Sequence, residues 1–289
     1  YSSAAIAENR DHAAMKFIHL TDPHFVPPGR TLYGRDPRPA LDAAVADINA
    51  HHGDAAMAVV TGDLTHWGEP AAFRNLVDGL APLAMPVHVL AGNHDARDVL
   101  RAHFPNQPVD ENGFIQSALD TPVGRFIFLD TVLEGTSAGH FCADRQAWLA
   151  DILAASEGRD LFLFMHHPPF DVGIPAMDRI GLQQKDAFQA VIEPHKARIR
   201  HLFFGHVHRP ISGSWRGIPY STLRGLNQQV WFDMVNVEMT ASFEPPAYCV
   251  VLIEDDRVVV HTHDFMDPNE KFKMHSSPYT DWAIRPSGA

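Results

Sequence analysis

Two rhythms of apolar residues alternate along the chain. Short continuous runs at Lys16–Leu20, Met57–Thr61, Pro86–Ala91, Phe126–Leu129, Leu161–Met165 and His201–Phe204 predict buried strands. Between them, apolar residues recur every three or four positions and predict helices. Leu41, Ala44, Val45 and Ile48 form one face after Asp36-Pro37, which reads as an N-cap with proline at the first helical position. Phe73, Leu76, Val77 and Leu80 form another face within Pro70–Leu80. Further helices are expected at Ala96–His103, Asp144–Ala155 and Asp186–Pro194. Strands alternating with helices in this way predict a buried, largely parallel sheet.

The pattern changes after Gly205. Ile211–Trp215, Ile218–Thr222, Val230–Val237, Tyr248–Glu254 and Val258–Asp264 read as strands joined by short turns, such as Trp215-Arg216-Gly217-Ile218. The last third is therefore expected to be mostly antiparallel β. Phe265–Ala289 is rich in proline and aromatics without periodicity. With no linker, repeat or low-complexity tract, the simplest architecture is one α/β domain with a β-rich second half, a domain spanning residues 15–264 and followed by a tail, 265–289.

Size and composition narrow the chemistry. A chain of 289 residues buries ~75% of its unfolded surface and needs no metal or disulfide simply to fold. A metal site in it is expected to be functional. No run approaches the ~18 apolar residues of a membrane span. A net charge of −12 argues against a surface that coats nucleic acid or anionic membrane. Cys142 and Cys249 are far apart and suggest neither a disulfide framework nor a thiolate metal site. Residues 1–14 show no basic segment followed by an apolar one, so they read as an N-terminal extension or tag ahead of Met15, and the expected location is cytoplasmic.

The unusual number is 19 histidines, and their placement decides the reading. Five predicted strands run into metal-ligand residue types: Thr21-Asp22-Pro23-His24, Gly62-Asp63, Gly92-Asn93-His94-Asp95, His166-His167-Pro168-Pro169 and Gly205-His206-Val207-His208. In α/β sheets, sites form at the carboxyl ends of strands. Carboxylate, imidazole and amide donors without thiolates suit Fe, Mn, Co or Zn. Three carboxylate or amide groups and four imidazoles are too many for one ion and about right for two. Two such ions form a clamp suited to in-line phosphoryl displacement. Each element alone is commonplace; all five, in order and at strand ends, are not.

The series D-x-H, GD, GNHD, HHPP, GHxH resembles the signature of the calcineurin-like metallophosphoesterases. Leu32-Tyr33-Gly34, Gly135-Thr136-Ser137 and Met177-Asp178 make the chain look most like the bacterial class III cyclic nucleotide phosphodiesterases and glycerophosphodiesterases. The resemblance implies a four-layer αββα sandwich of two mixed sheets flanked by helices. It implies that Asp22, His24 and His208 hold one metal and that Asn93, His166 and His206 hold the other, with Asp63 bridging. It casts His94 as a non-ligand active-site histidine and Asp95 as the acid that orients it. The expected activity is hydrolysis of small phosphodiesters by a hydroxide held between two divalent ions. Tyr33, Asn93, His94 and Arg224 are the candidate substrate contacts, with Arg209 a further cation to consider. Tyr33 either closes over the phosphate or packs its loop. The loop Thr222–Gln228 lacks a histidine that some glycerophosphodiesterase-like relatives carry.

Other histidines have plainer readings. The proline pair after His167 fixes the backbone so that His167 orients its loop. His19 is expected to be packed or exposed, and His51-His52 to end a helix. His261 and His263 lie on a late strand without nearby partners in sequence. A phosphomonoesterase or protein phosphatase on the same fold is the nearest alternative function, and a non-catalytic scaffold a remote one. A nuclease is disfavoured by the acidic charge. The aromatic tail, with Phe265, Phe272, Tyr279 and Trp282, is expected to cover apolar surface, either on its own chain or in a dimer or larger homo-oligomer.

Overall fold

A computed structural model describes residues 14–274 and 278–279. The expected N-terminal extension, apart from Ala14, and Trp282 of the tail lie outside the described residues. The strands are β1 (Ala14–Leu20), β2 (Ala58–Thr61), β3 (Val87–Leu90), β4 (Ser117–Thr121), β5 (Gly124–Phe128), β6 (Leu161–Met165), β7 (Ile199–Phe204), β8 (Ser212–Trp215), β9 (Ile218–Ser221), β10 (Gln229–Val230), β11 (Ala241–Ser242), β12 (Tyr248–Glu254) and β13 (Arg257–His263). The helices are α1 (Arg38–His52), α2 (Pro70–Leu80), α3 (Arg97–His103), α4 (Ala143–Ala154), α5 (Pro175–Asp178) and α6 (Lys185–Ile192).

The strands form two mixed sheets and a small ribbon. One sheet has the order β13-β12-β1-β2-β3, the other β4-β5-β6-β7-β9-β8, and β10 pairs with β11 alone. In the first sheet β1, β2 and β3 are parallel and in step: Leu20 faces Val60, and Thr61 faces Leu90. In the second, Met165 of β6 faces Phe204 of β7. Strands that end level deliver their following loops to one edge, and that register gathers the site.

Side-chain alternation explains the layers. Phe17 on β1 points between the sheets, where its ring meets Phe126, Phe164 and Phe203 of the second sheet edge-on at 5.4–5.7 Å. Its neighbours Ile18 and Leu20 point the other way, into a core shared with Leu41, Val45 and Ile48 of α1 and Phe73 and Leu76 of α2. On the outer face of the second sheet, Leu149 and Leu153 of α4 and Phe188 and Ile192 of α6 pack with Leu163 and Leu202. Helix, sheet, sheet, helix is the four-layer αββα sandwich. Each large side chain fully buried in it contributes about 1.5–3 kcal/mol. No helix among the described residues is long and apolar enough to cross a membrane.

Several expectations need adjustment. The expected strand Val230–Val237 exists only as Gln229–Val230. The Asp233 carboxylate accepts the backbone N–H groups of Val235 and Asn236, a side-chain turn that competes with strand pairing. The run Trp231–Thr240 instead loops out between β10 and β11 with many of its apolar side chains exposed. β4, which is largely polar and exposed, was not foreseen, and α6 stops at Ile192 with a 3-10 turn, Glu193–Arg198, after it. Helix α1 begins one residue late, with Pro37 at the cap, yet Asp36 still accepts the N–H of Arg38 at 3.0 Å. The expected turn Trp215–Ile218 is a two-residue hairpin loop whose Arg216 and Gly217 both have positive φ, the backbone of a type I′ turn. In the tail, Phe265 stacks on Tyr248 of its own chain, and Phe272 and Tyr279 pack on each other while half-exposed.

Candidate metal centre and catalytic cleft

The loops after β1, β2, β3, β6 and β7 meet at one edge of the sandwich and bring seven predicted donors together. Asp22, His24, Asp63 and His208 form one buried group whose candidate donor atoms lie within 4.8 Å of one another. His166 and His206 belong to a second such group, and the Nε2 of His166 lies 3.2 Å from Asn93 Oδ1 and 3.3 Å from Asp63 Oδ1. Asp63 thus stands between the two: its other oxygen is 3.5 Å from His24 Nε2.

Crowding of the strand ends explains the glycines of the motifs. A methyl group on Gly92 would collide with the backbone nitrogen and carboxylate of Asp63. Gly62 has φ +92°, and a side chain there would enter the His166 ring. Backbone shape at the site is unusual beyond glycine. Among the described residues, seven non-glycine residues have positive φ, and six of them are Asp22, His24, Tyr33, Asp63, His206 and His208. Such conformations are sparsely populated and cluster at functional sites.

Hydrogen bonds on the far side of the rings settle which nitrogens face inward. His166 donates Nδ1–H to the Thr61 carbonyl, and His208 donates Nδ1–H to the Gln228 carbonyl, each at 2.7 Å. Their Nε2 atoms therefore face the carboxylates, the arrangement that prepares imidazole for a metal. Burial disfavours the imidazolium at both, but Asp63 raises His166 to about 9 and Asp22 raises His208. Burial and the charge on His166 lower His206 to about 3.

This donor set fits two divalent cations. Two buried carboxylates face four buried imidazoles, with His166 Nε2 3.3 Å from Asp63 and His208 Nε2 3.2 Å from Asp22. His206 Nε2 is buried without a hydrogen-bond partner, and His24 Nε2 meets His208 Nε2 at 3.0 Å. Donor atoms about 3–3.5 Å apart are the spacing that bonds of ~2.0–2.2 Å to a shared ion produce. His167 lies near His206, but Thr131 Oγ1 and the Ser137 carbonyl take up its two nitrogens, so it braces its loop.

Three expectations about the surroundings are corrected. Asp95 does not orient His94. Its side chain turns inward, where it accepts the backbone N–H groups of Gly92, Leu64 and Thr65 and the Thr65 hydroxyl. Burial, reinforced by the charge of Asp63, pushes Asp95 up to about 6. The His66 carbonyl takes the His94 Nδ1–H instead, at 2.8 Å, which leaves His94 Nε2 toward the cleft, 4.0 Å from Asp63 Oδ2. Arg224 is not among the residues that line the cleft; its guanidinium pairs with Asp264, just beyond β13. Arg209 pairs with Glu244.

The cleft in front of these groups encloses about 200 Å³. Tyr33 and His66 line one part of it, and Met177, Ile180, Val230 and Met239 supply apolar surface. Among the described residues, no lysine or arginine lines it. Sequence reasoning included Tyr33 but missed His66, Met239 and Gln228. The signal for His66 was its place three residues after Asp63, in Leu64-Thr65-His66-Trp67.

Comparison with known proteins accords with this geometry. The family model for calcineurin-like phosphoesterases matches residues 15–210. A probable cyclic nucleotide phosphodiesterase of Rhodopseudomonas palustris is 47% identical over 270 residues, covering 91% of this chain and 97% of that protein. A probable glycerophosphodiester phosphodiesterase of Arcobacter nitrofigilis is 28% identical over 237 residues, 81% of this chain and 86% of that one. In fold, a dimetal phosphatase from Danio rerio superposes with a TM-score of 0.62 at 16% identity, over 85% of this chain and 98% of the other. The donors on successive strand ends and the match that spans them lead to one conclusion: the chain belongs to the calcineurin-like phosphoesterase family.

Proposed function

We propose that the chain hydrolyses small phosphodiesters, cyclic nucleotides or glycerophosphodiesters, with two divalent ions of Fe, Mn, Zn or Co. In this reading Asp22, His24 and His208 hold one ion, Asn93, His166 and His206 hold the other, and Asp63 serves both. Such a pair polarises a phosphoryl oxygen and makes water nucleophilic near neutral pH. The relatives named above support a diester substrate. The observation that carries it is the lining of the cleft. With no arginine or lysine among the described residues that line it, it lacks the bidentate cation that best grips the dianion of a monoester. Apolar Met177, Ile180 and Met239 suit the organic part of a substrate.

His94 then manages a proton. The His66 carbonyl fixes its Nδ1–H, so Nε2 is the atom that gives a proton to, or takes one from, the cleft. Proton transfer of this kind contributes about 10²–10⁴-fold when the leaving group is poor. One substrate series tests both statements. With Mn²⁺ present, the wild type is expected to cleave an alkyl diester and a nitrophenyl diester faster than a nitrophenyl monoester. His94→Ala is expected to slow the alkyl diester by about 10²–10⁴-fold and the nitrophenyl diester much less, with metal content unchanged. A monoester cleaved faster than every diester at equal metal loading would overturn the substrate reading. An equal drop on both diesters would make His94 a phosphate contact instead.

The reading includes self-association. Exposed Trp231, Phe232, Met234, Val235 and Val237 make an apolar stretch. A dimer or larger mass is expected by light scattering at micromolar concentration, and a strictly monomeric mass would refute it.

A further inference from the structure

His66 stands apart from the other histidines of the cleft. His166, His208 and His94 each have their outward nitrogen held by a backbone carbonyl. His24 does not: the partner of its Nδ1 is the Nδ1 of His66, at 3.2 Å. The His66 ring also lies flat on His94, with centroids 4.6 Å apart and planes 21° from parallel. One side chain thus touches a histidine of the first donor group and the histidine that faces the substrate space.

We propose that His66 is a positioning residue that holds His24 and His94 at the same time. This rests on the reading of His24 as a metal ligand and His94 as a proton carrier. The Nε2 of His24 faces Asp63 and His208, so a cation bound there needs the lone pair on Nε2 and the proton on Nδ1. That proton is donated to His66, which must offer a bare Nδ1 and carry its own proton on Nε2. The His24 ring is then fixed in tautomer and tilt by a neutral imidazole, where its neighbours use the backbone. Partners of this kind are typically worth 10–100-fold in metal affinity or activity. The flat face of His66 meanwhile keeps the His94 ring from rotating out of line. These two duties depend on different parts of the side chain and are separable. The acceptor of His94 is the backbone carbonyl of residue 66, which a side-chain substitution does not remove, so the variants chosen report the side chain.

Two variants of the full chain separate the duties. His66→Phe keeps a flat ring and loses the acceptor; His66→Asn keeps a short acceptor and loses the ring. Both are checked for folding by far-UV circular dichroism. Mn²⁺ titrated into metal-free protein by calorimetry should show two ions for the wild type. His66→Phe should weaken one of the two by about 10–100-fold. His66→Asn should bind both nearly as the wild type does, yet lose kcat on an alkyl diester more than on a nitrophenyl diester, with KM little changed. Two variants with unchanged metal affinity, or with the same defect in both assays, would overturn the proposal. Uptake of a third ion by the wild type, lost in both variants, would make His24, His66 and His94 a metal site and overturn it too. A wild type that takes up no metal would instead defeat the reading beneath it.

Discussion

Asp63→Asn is expected to lower phosphodiester hydrolysis by ~10³-fold or more, since a metal ion's charge stabilisation is worth several kcal/mol. The carboxylate lies between the two donor groups, 3.3 Å from His166 and 3.5 Å from His24. An amide brings no negative charge to either group. It does preserve the acceptor that receives the His94 N–H at 2.9 Å, so the loop need not move. Elemental analysis is expected to fall from two ions per chain toward one, with an unchanged circular dichroism spectrum. Full activity with two ions bound would show that Asp63 is dispensable. Loss of the folded spectrum would show that it is structural.

Asp130→Ala is expected to destabilise the protein by about 3–5 kcal/mol, the cost of breaking a buried ion pair by removing one partner. Asp130 is fully buried just beyond β5. It receives Arg97 through two bonds of 2.7 and 2.8 Å, Arg145 at 3.4 Å, and the backbone N–H groups of Ile115 and Val132. Removing it leaves Arg145 with carbonyls, the Cys142 sulfur and the Phe114 ring, and leaves Arg97 with a carbonyl and the exposed Glu134 carboxylate at 3.7 Å. For a chain of this size the midpoint of thermal unfolding should fall by roughly 10 °C. Arg97 opens α3 directly behind the loop of Asn93 and His94, so the variant should also lose affinity for metal at partial unfolding temperatures. A melting curve that matches the wild type would show that the buried ion pairs of Asp130 add nothing to stability.

The elements that repeat a strong period were legible in the sequence. Leu161–Met165, Tyr248–Glu254 and the helix Pro70–Leu80 coincide with the structure to the residue. The gathering of Asp22, His24, Asp63, Asn93, His166, His206 and His208 was legible too, because parallel strands that end in step leave their loops no other edge. What the sequence hid depends on which backbone comes near which side chain. Asp95 follows His94 in the chain, but besides Gly92 the donors it meets are 30 and 31 residues away, at Thr65 and Leu64. The partner of His94 is a carbonyl 28 residues away, and a carbonyl has no residue type to read. The strand expected at Val230–Val237 failed for a local reason: its apolar count was right, but Asp233 bends the chain. Arg224 looked like a free cation because its partner, Asp264, is 40 residues on.

The left-handed backbones around the site place two kinds of selection in tension. Each non-glycine residue held there costs about 1–2 kcal/mol relative to ordinary geometry, and five of the six are proposed ligands. A domain's whole stability is only about 5–15 kcal/mol. The rest of the sandwich therefore carries a deficit concentrated in the loops that bind, and a lineage selected for heat resistance alone would drift toward relaxing them. Among homologues that have lost activity, Asp22, His24, Asp63, His206 and His208 are the positions where glycine or asparagine should accumulate first, since those residues tolerate the conformation without the chemistry.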